Sequence, residues 1–272
     1  MVGLVVFHLM LPNQLRNNYL TESQATHVEH VAAMKQYYER TAESYNSWHC
    51  NPADKSSHNF AVREVLKLLA QDKRSTLLDV CCGTGRGVRA ALDAGYDAQG
   101  LDLSGHLLKI AETELKIPKE RLHCADATKL PFTNNSFDVT CILGALHHSA
   151  MPQAIISEMI RVTRRAIVVS DAANQLHGGV KAILIKLGIF NPVYRLIFHR
   201  PPRTTRRLIK SSEGDGPTFD FTIEEIMPGI KACFQEVRCL TFYLLPGRQI
   251  CAWWLPRLFA RQGIIVAQKK MR

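Results

Sequence analysis

The sequence predicts an α/β fold: a doubly wound, mostly parallel seven-stranded sheet with helices on both faces. Three observations predict it. Between residues 76 and 170, short apolar runs alternate with segments of helical periodicity, as strand–helix–strand crossovers require. The first run enters a glycine turn, Gly83-Thr84-Gly85-Arg86-Gly87, that opens a helix. Three successive runs end in an acid, Asp79, Asp102 and Asp126.

Taken in order, residues 22–48 read as an amphipathic helix with Val31, Met34, Tyr38, Ala42 and Tyr45 at three- and four-residue steps. A second helix is predicted over 58–70. Strands follow at 76–82, 97–103, 121–125, 137–143 and 166–170, with helices to about 94, at 105–115 and at 152–161. After Asp171 the rhythm breaks. Residues 176–210 read as helical, apolar and basic, interrupted by Pro192 and Pro201-Pro202, a helical cap inserted after the fifth strand. Residues 211–217 read as a loop. A helix over 222–233 starts with Thr222 and Glu225 in a capping box. A strand at 235–245, a helix at 249–261 carrying Trp253 and Trp254, and a strand at 263–268 complete the chain. The expected divisions are an extension (1–21), the α/β core (22–171), the cap (172–221) and a segment completing the sheet (222–272).

Composition narrows the function classes. The chain has 272 residues, 46% apolar and 21% charged, with 16 Gly and 12 Pro; that excludes a fibrous or disordered chain. No apolar run reaches the ~18 residues of a membrane-spanning helix. Residues 1–12 are apolar but lack a basic flank, and Asn13-Gln14-Leu15-Arg16 is no small-residue cleavage site. They read as a loosely attached extension of a cytoplasmic protein. Eight cysteines form no C-x-x-C pair, so buried, reduced thiols are expected and no metal site. The net charge of +10 lies wholly beyond residue 171, and 172–212 holds eight Lys+Arg with no carboxylate. An acidic partner would meet the chain there.

At Gly83 and Gly85 the missing Cβ atoms let the backbone turn sharply against a ligand, beside the free N–H groups of a helix start. A dinucleotide site needs G-x-G-x-x-G. Here the third glycine stands one place early, at 87, and Val88 takes its position. That argues against an NAD-dependent oxidoreductase. Asp102, ending the second strand, can accept both hydroxyls of a ribose, and Asp126, ending the third, an adenine amino group. Three acids suit a nucleoside without phosphate. Taken singly, each acid is equally well a helix cap.

The set Leu78-Asp79-Val80-Cys81-Cys82-Gly83-Thr84-Gly85, Leu101-Asp102-Leu103-Ser104, Ala125-Asp126-Ala127-Thr128-Lys129-Leu130-Pro131-Phe132 and Ser136-Phe137-Asp138-Val139 resembles the class I S-adenosylmethionine-dependent methyltransferases. Within them it is most similar to the ubiquinone/menaquinone methyltransferase-like branch. Tyr37-Tyr38-Glu39-Arg40-Thr41-Ala42-Glu43-Ser44-Tyr45 resembles that branch's N-terminal helix. The likeness covers about 35–171 and implies a Rossmann-like methyltransferase fold with S-adenosylmethionine as cofactor. It implies that Asp79, Gly83 and Gly85 hold the methionine end, Asp102 the ribose, Leu103 the adenine face, and Asp126 and Ala127 its edge. Leu143 would lie near the sulfonium, and Tyr38 and Cys81 join the cofactor set. Two features depart from the branch. Val162-Thr163-Arg164-Arg165-Ala166 replaces a Lys-Pro-Gly-Gly-like turn, and 172–212 does not match the quinone enzymes.

Gly144-Ala145-Leu146-His147-His148 follows the fourth strand, where a methyl acceptor should sit. His147, or else His148, could take a proton from an acceptor hydroxyl; the bland alternative has one histidine capping the helix near 152. There is no Asp/Asn-Pro-Pro-aromatic motif of base-amine methylation and no Pro-Cys nucleophile. The expectation is methyl transfer to a small-molecule or lipid/sugar-linked acceptor, one carrying negative charge or met at a membrane surface through 176–210. The rival is an RNA-directed methyltransferase or a binding module using the basic C-terminal third.

Overall fold

Helix α1 (28–45) runs before the α/β repeat and buries Met34, Tyr37 and Ala42 on one face. It belongs to a computed structural model that describes residues 28–45, 57–172, 208–212, 216–219, 221, 223–245, 248–252 and 262–269. Next come α2 (Ser57–Leu69), β1 (Thr76–Val80), α3 (Arg86–Asp93), β2 (Asp97–Asp102), α4 (Gly105–Thr113), β3 (Leu122–Cys124), β4 (Phe137–Leu143), α5 (Pro152–Val162) and β5 (Thr163–Ala172). A hairpin, β6 (Leu208–Ser212) and β7 (Gly216–Phe219), precedes α6 (Met227–Cys233), β8 (Glu236–Leu245), β9 (Arg248–Ala252) and β10 (Gln262–Gln268).

The main sheet has the order β3-β2-β1-β4-β5-β10-β8-β9. It is parallel from β3 to β5, and β10 pairs antiparallel with both β5 and β8. Seven of its strands are those read in the sequence, and the doubly wound fold is as expected. The strand order reverses between β1 and β4. Crossovers leave in opposite directions there, which opens a crevice at the carboxyl ends of the strands.

The central strands are apolar on both faces because both faces are covered. Leu78, Val80, Ile142, Ile167 and Val169 pack into one cluster with α5 and α6, through Met159 and Ile230. Their neighbours Leu77, Val139, Val168 and Ile264 pack into the other with α2 and α3, through Leu69 and Val88. Consecutive residues point to opposite faces, so apolar residues follow one another along the runs, with few polar positions such as Asp79 and Thr140.

Three sequence expectations are corrected. Residues 208–212 and 216–219 pair as a hairpin, Leu208 opposite Phe219 and Ser212 opposite Gly216; the helix expected to 210 and the loop at 211–217 give way to strands. The helix expected over 222–233 is split into a 3-10 turn, Ile223–Glu225, and α6. Pro228 has no N–H to give to an upstream carbonyl and sits in the first turn of α6, where none is needed. Ile226 is the N-cap of α6, with no side-chain bond; Thr222, the first residue of the expected capping box, lies outside the described residues. Residues 248–252 form β9, where a helix was expected from 249, with Leu245 opposite Arg248 across Pro246-Gly247. A Pro-Gly pair favours a turn, and the chain doubles back on β8. The extension 1–21, the cap over 176–207 and the rest of the 249–261 segment lie outside the described residues.

Candidate cofactor and active site

The crevice starts at the carboxyl end of β1. Asp79 is 3% exposed there and accepts from the Cys141 thiol of β4 at 3.3 Å. Burial pushes its carboxyl up to about 7; the Cys141 bond opposes the shift and the Asp102 charge adds to it. The turn that follows climbs out of the sheet through Cys81 at φ 56°, Gly83 at 56° and Gly85 at 81°. Gly85 is the N-cap of α3. A side chain there would be held in the left-handed region and pressed on Ile117 and Ala111. Gly87 answers a different need: a Cβ at that position would collide with the Asp79 carboxylate. The early third glycine thus makes room for an acid.

Asp102 ends β2 and is 7% exposed. Its Oδ2 accepts from the Gly83 amide and its Oδ1 from the Ser104 amide, both at 2.9 Å. Burial raises its pKa, and the amides of Ser104, Gly83 and Leu103 pull the other way. Ser104 Oγ caps α4 by accepting from the Leu107 amide. Helix capping therefore falls to Ser104 and leaves the outer lone pairs of Asp102 to the crevice. Ala125 donates to the Asp102 carbonyl. Asp126 is half-buried, and its Oδ1 accepts from the amide and the hydroxyl of Thr128, each at 2.8 Å. Ala127 is buried; Leu103 and Leu143 are half-buried.

Helix α1 closes this side. The Tyr45 hydroxyl stands 3.4 Å from the Cβ position of Gly83, and Tyr38 packs edge-on against Tyr37 and Tyr45. Burial pushes the Tyr38 phenol well above its ordinary range, with the charges of Tyr45, Asp102 and Cys81 adding to the shift. The Cys81 thiol is raised by burial and by the carboxylates of Asp102, Asp79, Asp126 and Asp171. One turn residue thus feels acids from the ends of four strand regions.

Past β4, residues Leu146–His148 form a 3-10 turn. His147 is 8% exposed, and its Nδ1 lies 2.7 Å from Asp171 Oδ1. A carboxylate can only accept, so Nδ1 carries the proton. Asp171 Oδ2 accepts from the Leu146 amide at 2.7 Å and the His147 amide at 3.4 Å. His148 turns the other way and donates through Nδ1 to the Pro217 carbonyl of β7 at 2.9 Å. His30 of α1 donates to the His148 carbonyl and lies edge-on to Phe219 at 4.4 Å. The start of α5 has Met151 as N-cap with no side-chain bond, so neither histidine caps it.

Residues 78–167 match the methyltransferase domain family. The demethylmenaquinone methyltransferase of Renibacterium salmoninarum is 34% identical over 109 residues, 39% of this chain and 45% of that protein. The chain spans about half the length of such curated relatives. Among solved structures, magnesium protoporphyrin IX methyltransferase from Synechocystis PCC 6803, which holds S-adenosylhomocysteine, superposes over 89% of this chain and 100% of its own with a TM-score of 0.56 at 16% identity. The cyclase SpnF superposes over 88% and 96% with 0.57 at 17% identity.

Residues 78–167 carry a methyltransferase domain. Its direct passage from α5 at Val162 into β5 at Thr163 bears out the missing turn read in the sequence. Asp171 and His30 were not singled out from the sequence, and Gly87 and Tyr45 were named there without a role in the site. Asp171 did offer a signal, being one more acid at a strand end. His30 offered none, since its partner stands 118 residues away.

Proposed function

We propose that the chain binds S-adenosylmethionine across the glycine turn and transfers its methyl group to a small-molecule or lipid/sugar-linked acceptor. Asp102 carries the reading. Its two oxygens are fixed by the amides of Gly83 and Ser104, and each keeps a lone pair for one ribose hydroxyl. Asp79 meets the cationic methionine end beside the N–H groups around Gly83 and Gly85. Leu103, Asp126 and Ala127 border the adenine, Leu143 the sulfonium, and Tyr38 and Cys81 close the pocket.

Fold alone does not carry the chemistry, because a cyclase and a methyltransferase share it. The support is the acid pattern at the switch point together with the matched domain. Methyl transfer is in-line displacement from a good leaving group. The chain's part is alignment, and alignment can contribute roughly 7–11 kcal/mol.

The named relatives act on a demethylated menaquinone, and a quinone is one acceptor to test. The family match ends at residue 167, before the β6–β7 hairpin that closes the acceptor side. The basic stretch 172–212 favours an anionic acceptor. No described helix is long and apolar enough to cross a membrane.

Calorimetric titration with S-adenosylmethionine and S-adenosylhomocysteine tests the cofactor, with NAD as the control and Asp102→Ala as the binding-site variant. Heat from the first two and none from NAD is expected. Silence from both nucleosides ends the proposal.

A further inference from the structure

From the pairing of His147 with Asp171 we infer that the acceptor is a hydroxyl, deprotonated by His147 while Asp171 holds the imidazole in position. The inference rests on the methyl-transfer reading above and adds the nucleophile's chemistry.

The two oxygens of Asp171 divide their work. Oδ2 takes the amides of Leu146 and His147 and so pins the 3-10 turn; Oδ1 takes the imidazole Nδ1–H. Pinning the turn would need only the first. The Asp171 side chain is 0% exposed and that of His147 10%, so the pair is held away from bulk water. With Nδ1 committed to a carboxylate, the basic lone pair of the ring is on Nε2. β4 and β5 are neighbours in the sheet, and both groups leave its carboxyl edge beside the switch point. β1 is the other neighbour of β4, so the pair stands at the same sheet edge as the glycine turn, on the strands next to it.

An oriented, shielded imidazole is redundant for a neutral amine, whose lone pair attacks unaided. It is needed for an oxygen nucleophile that keeps its proton at neutral pH. In the step, the acceptor oxygen forms its bond to the methyl carbon as its proton passes to His147 Nε2. The carbon–sulfur bond breaks, and its electron pair stays on the departing sulfur as a neutral thioether. Water then takes the proton from the imidazolium. Asp171 touches neither reactant and is a positioning residue. His148 gives its Nδ1–H to the neutral Pro217 carbonyl and not to a carboxylate, so its imidazolium gains less than that of His147. Its ring lies 4.0 Å from that of His147; His30 approaches from α1 through the His148 carbonyl. Among the described residues no group of three or more ligands could hold a metal ion here.

Two measurements on the full chain test this. The first is long-range proton–nitrogen NMR of histidine-labelled protein, which reads the His147 tautomer and its titration without any acceptor. The proton is expected on Nδ1, and Asp171→Asn should move the His147 titration to lower pH. A proton on Nε2, or a titration unmoved by Asp171→Asn, overturns the pairing. The second incubates the protein with trideuteromethyl-labelled S-adenosylmethionine and a small-molecule cell extract, and locates the label by mass spectrometry. A product labelled on oxygen is expected, reduced about 100-fold or more by His147→Ala and kept in part by Asp171→Asn with a shifted pH profile. A product labelled on nitrogen, a yield unchanged by His147→Ala, or no labelled product from protein that binds S-adenosylhomocysteine overturns the inference. Failure to bind S-adenosylhomocysteine at all instead sinks the cofactor reading beneath it.

Discussion

Around the glycine turn, the groups that hold one another are near neighbours in the chain: Gly83 and Asp102 are 19 residues apart, and Ser104 is two beyond Asp102. On the acceptor side the contacts reach much further. His148 meets Pro217 across 69 residues and His30 meets His148 across 118. The first side is centred on one strand–turn–helix–strand unit, to which Cys141 of β4 and Tyr45 of α1 are added from further along the chain. The second is assembled from α1, the turn after β4, the end of β5 and the β6–β7 hairpin, and it exists only once all four have docked. A nucleoside can therefore be bound by a local device, while selection and activation of the acceptor depend on the assembled fold.

This contrast predicts that damage on the two sides separates. His147→Ala should lower turnover by about 100-fold or more and leave S-adenosylhomocysteine affinity within about twofold; kinetics and calorimetry on one preparation check both. Asp102→Ala should do the reverse at the binding step. Two hydrogen bonds to a charged group at ~1.5 kcal/mol each imply roughly 100-fold weaker cofactor binding by calorimetry. If either variant loses both properties equally, the two sides are not separable.

The Asp79 carboxyl, pushed up to about 7 by burial, gives the cofactor side its own pH signature. A cationic ligand needs the ionised form. Affinity for S-adenosylmethionine should rise about tenfold per pH unit below 7 and level off above it. The folded pKa lies above that of the unfolded chain, so this group's contribution to stability is greatest below pH ~4 and declines as pH rises towards 7. In Asp79→Asn both dependences should flatten, as read by calorimetry and by thermal melts of the cofactor-free protein.

Smaller effects should follow backbone and packing. Gly85→Ala places a Cβ in the left-handed region against Ile117 and should cost about 1–3 kcal/mol of stability in denaturant unfolding. His30→Ala removes one hydrogen bond and one ring contact from the acceptor side. A loss of about 1 kcal/mol and a raised KM for the acceptor are expected, with cofactor affinity unchanged.

Some sequence signals were strong because a local rule produced them. The apolar runs at 76–80 and 137–143 could only be buried strands. The bend at Gly83–Gly85 needs residues without a Cβ, and Asp102 stands at a strand end by counting alone. Other signals were ambiguous. Residues 248–252 have a pattern that suits either element, and their antiparallel pairing with β8 makes them a strand. Pro228 stands in the first turn of α6, where the expected single helix is divided from the 3-10 turn before it.

The chain's own order of residues determined the doubly wound core, the glycine turn and the acids beside it, because periodicity and backbone freedom act over a few residues at a time. Tertiary structure alone decided that Gly87 makes room for Asp79, that Tyr45 lies over Gly83, and which of two adjacent histidines faces Asp171. Those outcomes are set by which strand ends lie side by side in the sheet, and contacts between distant segments leave no spacing in the sequence to read.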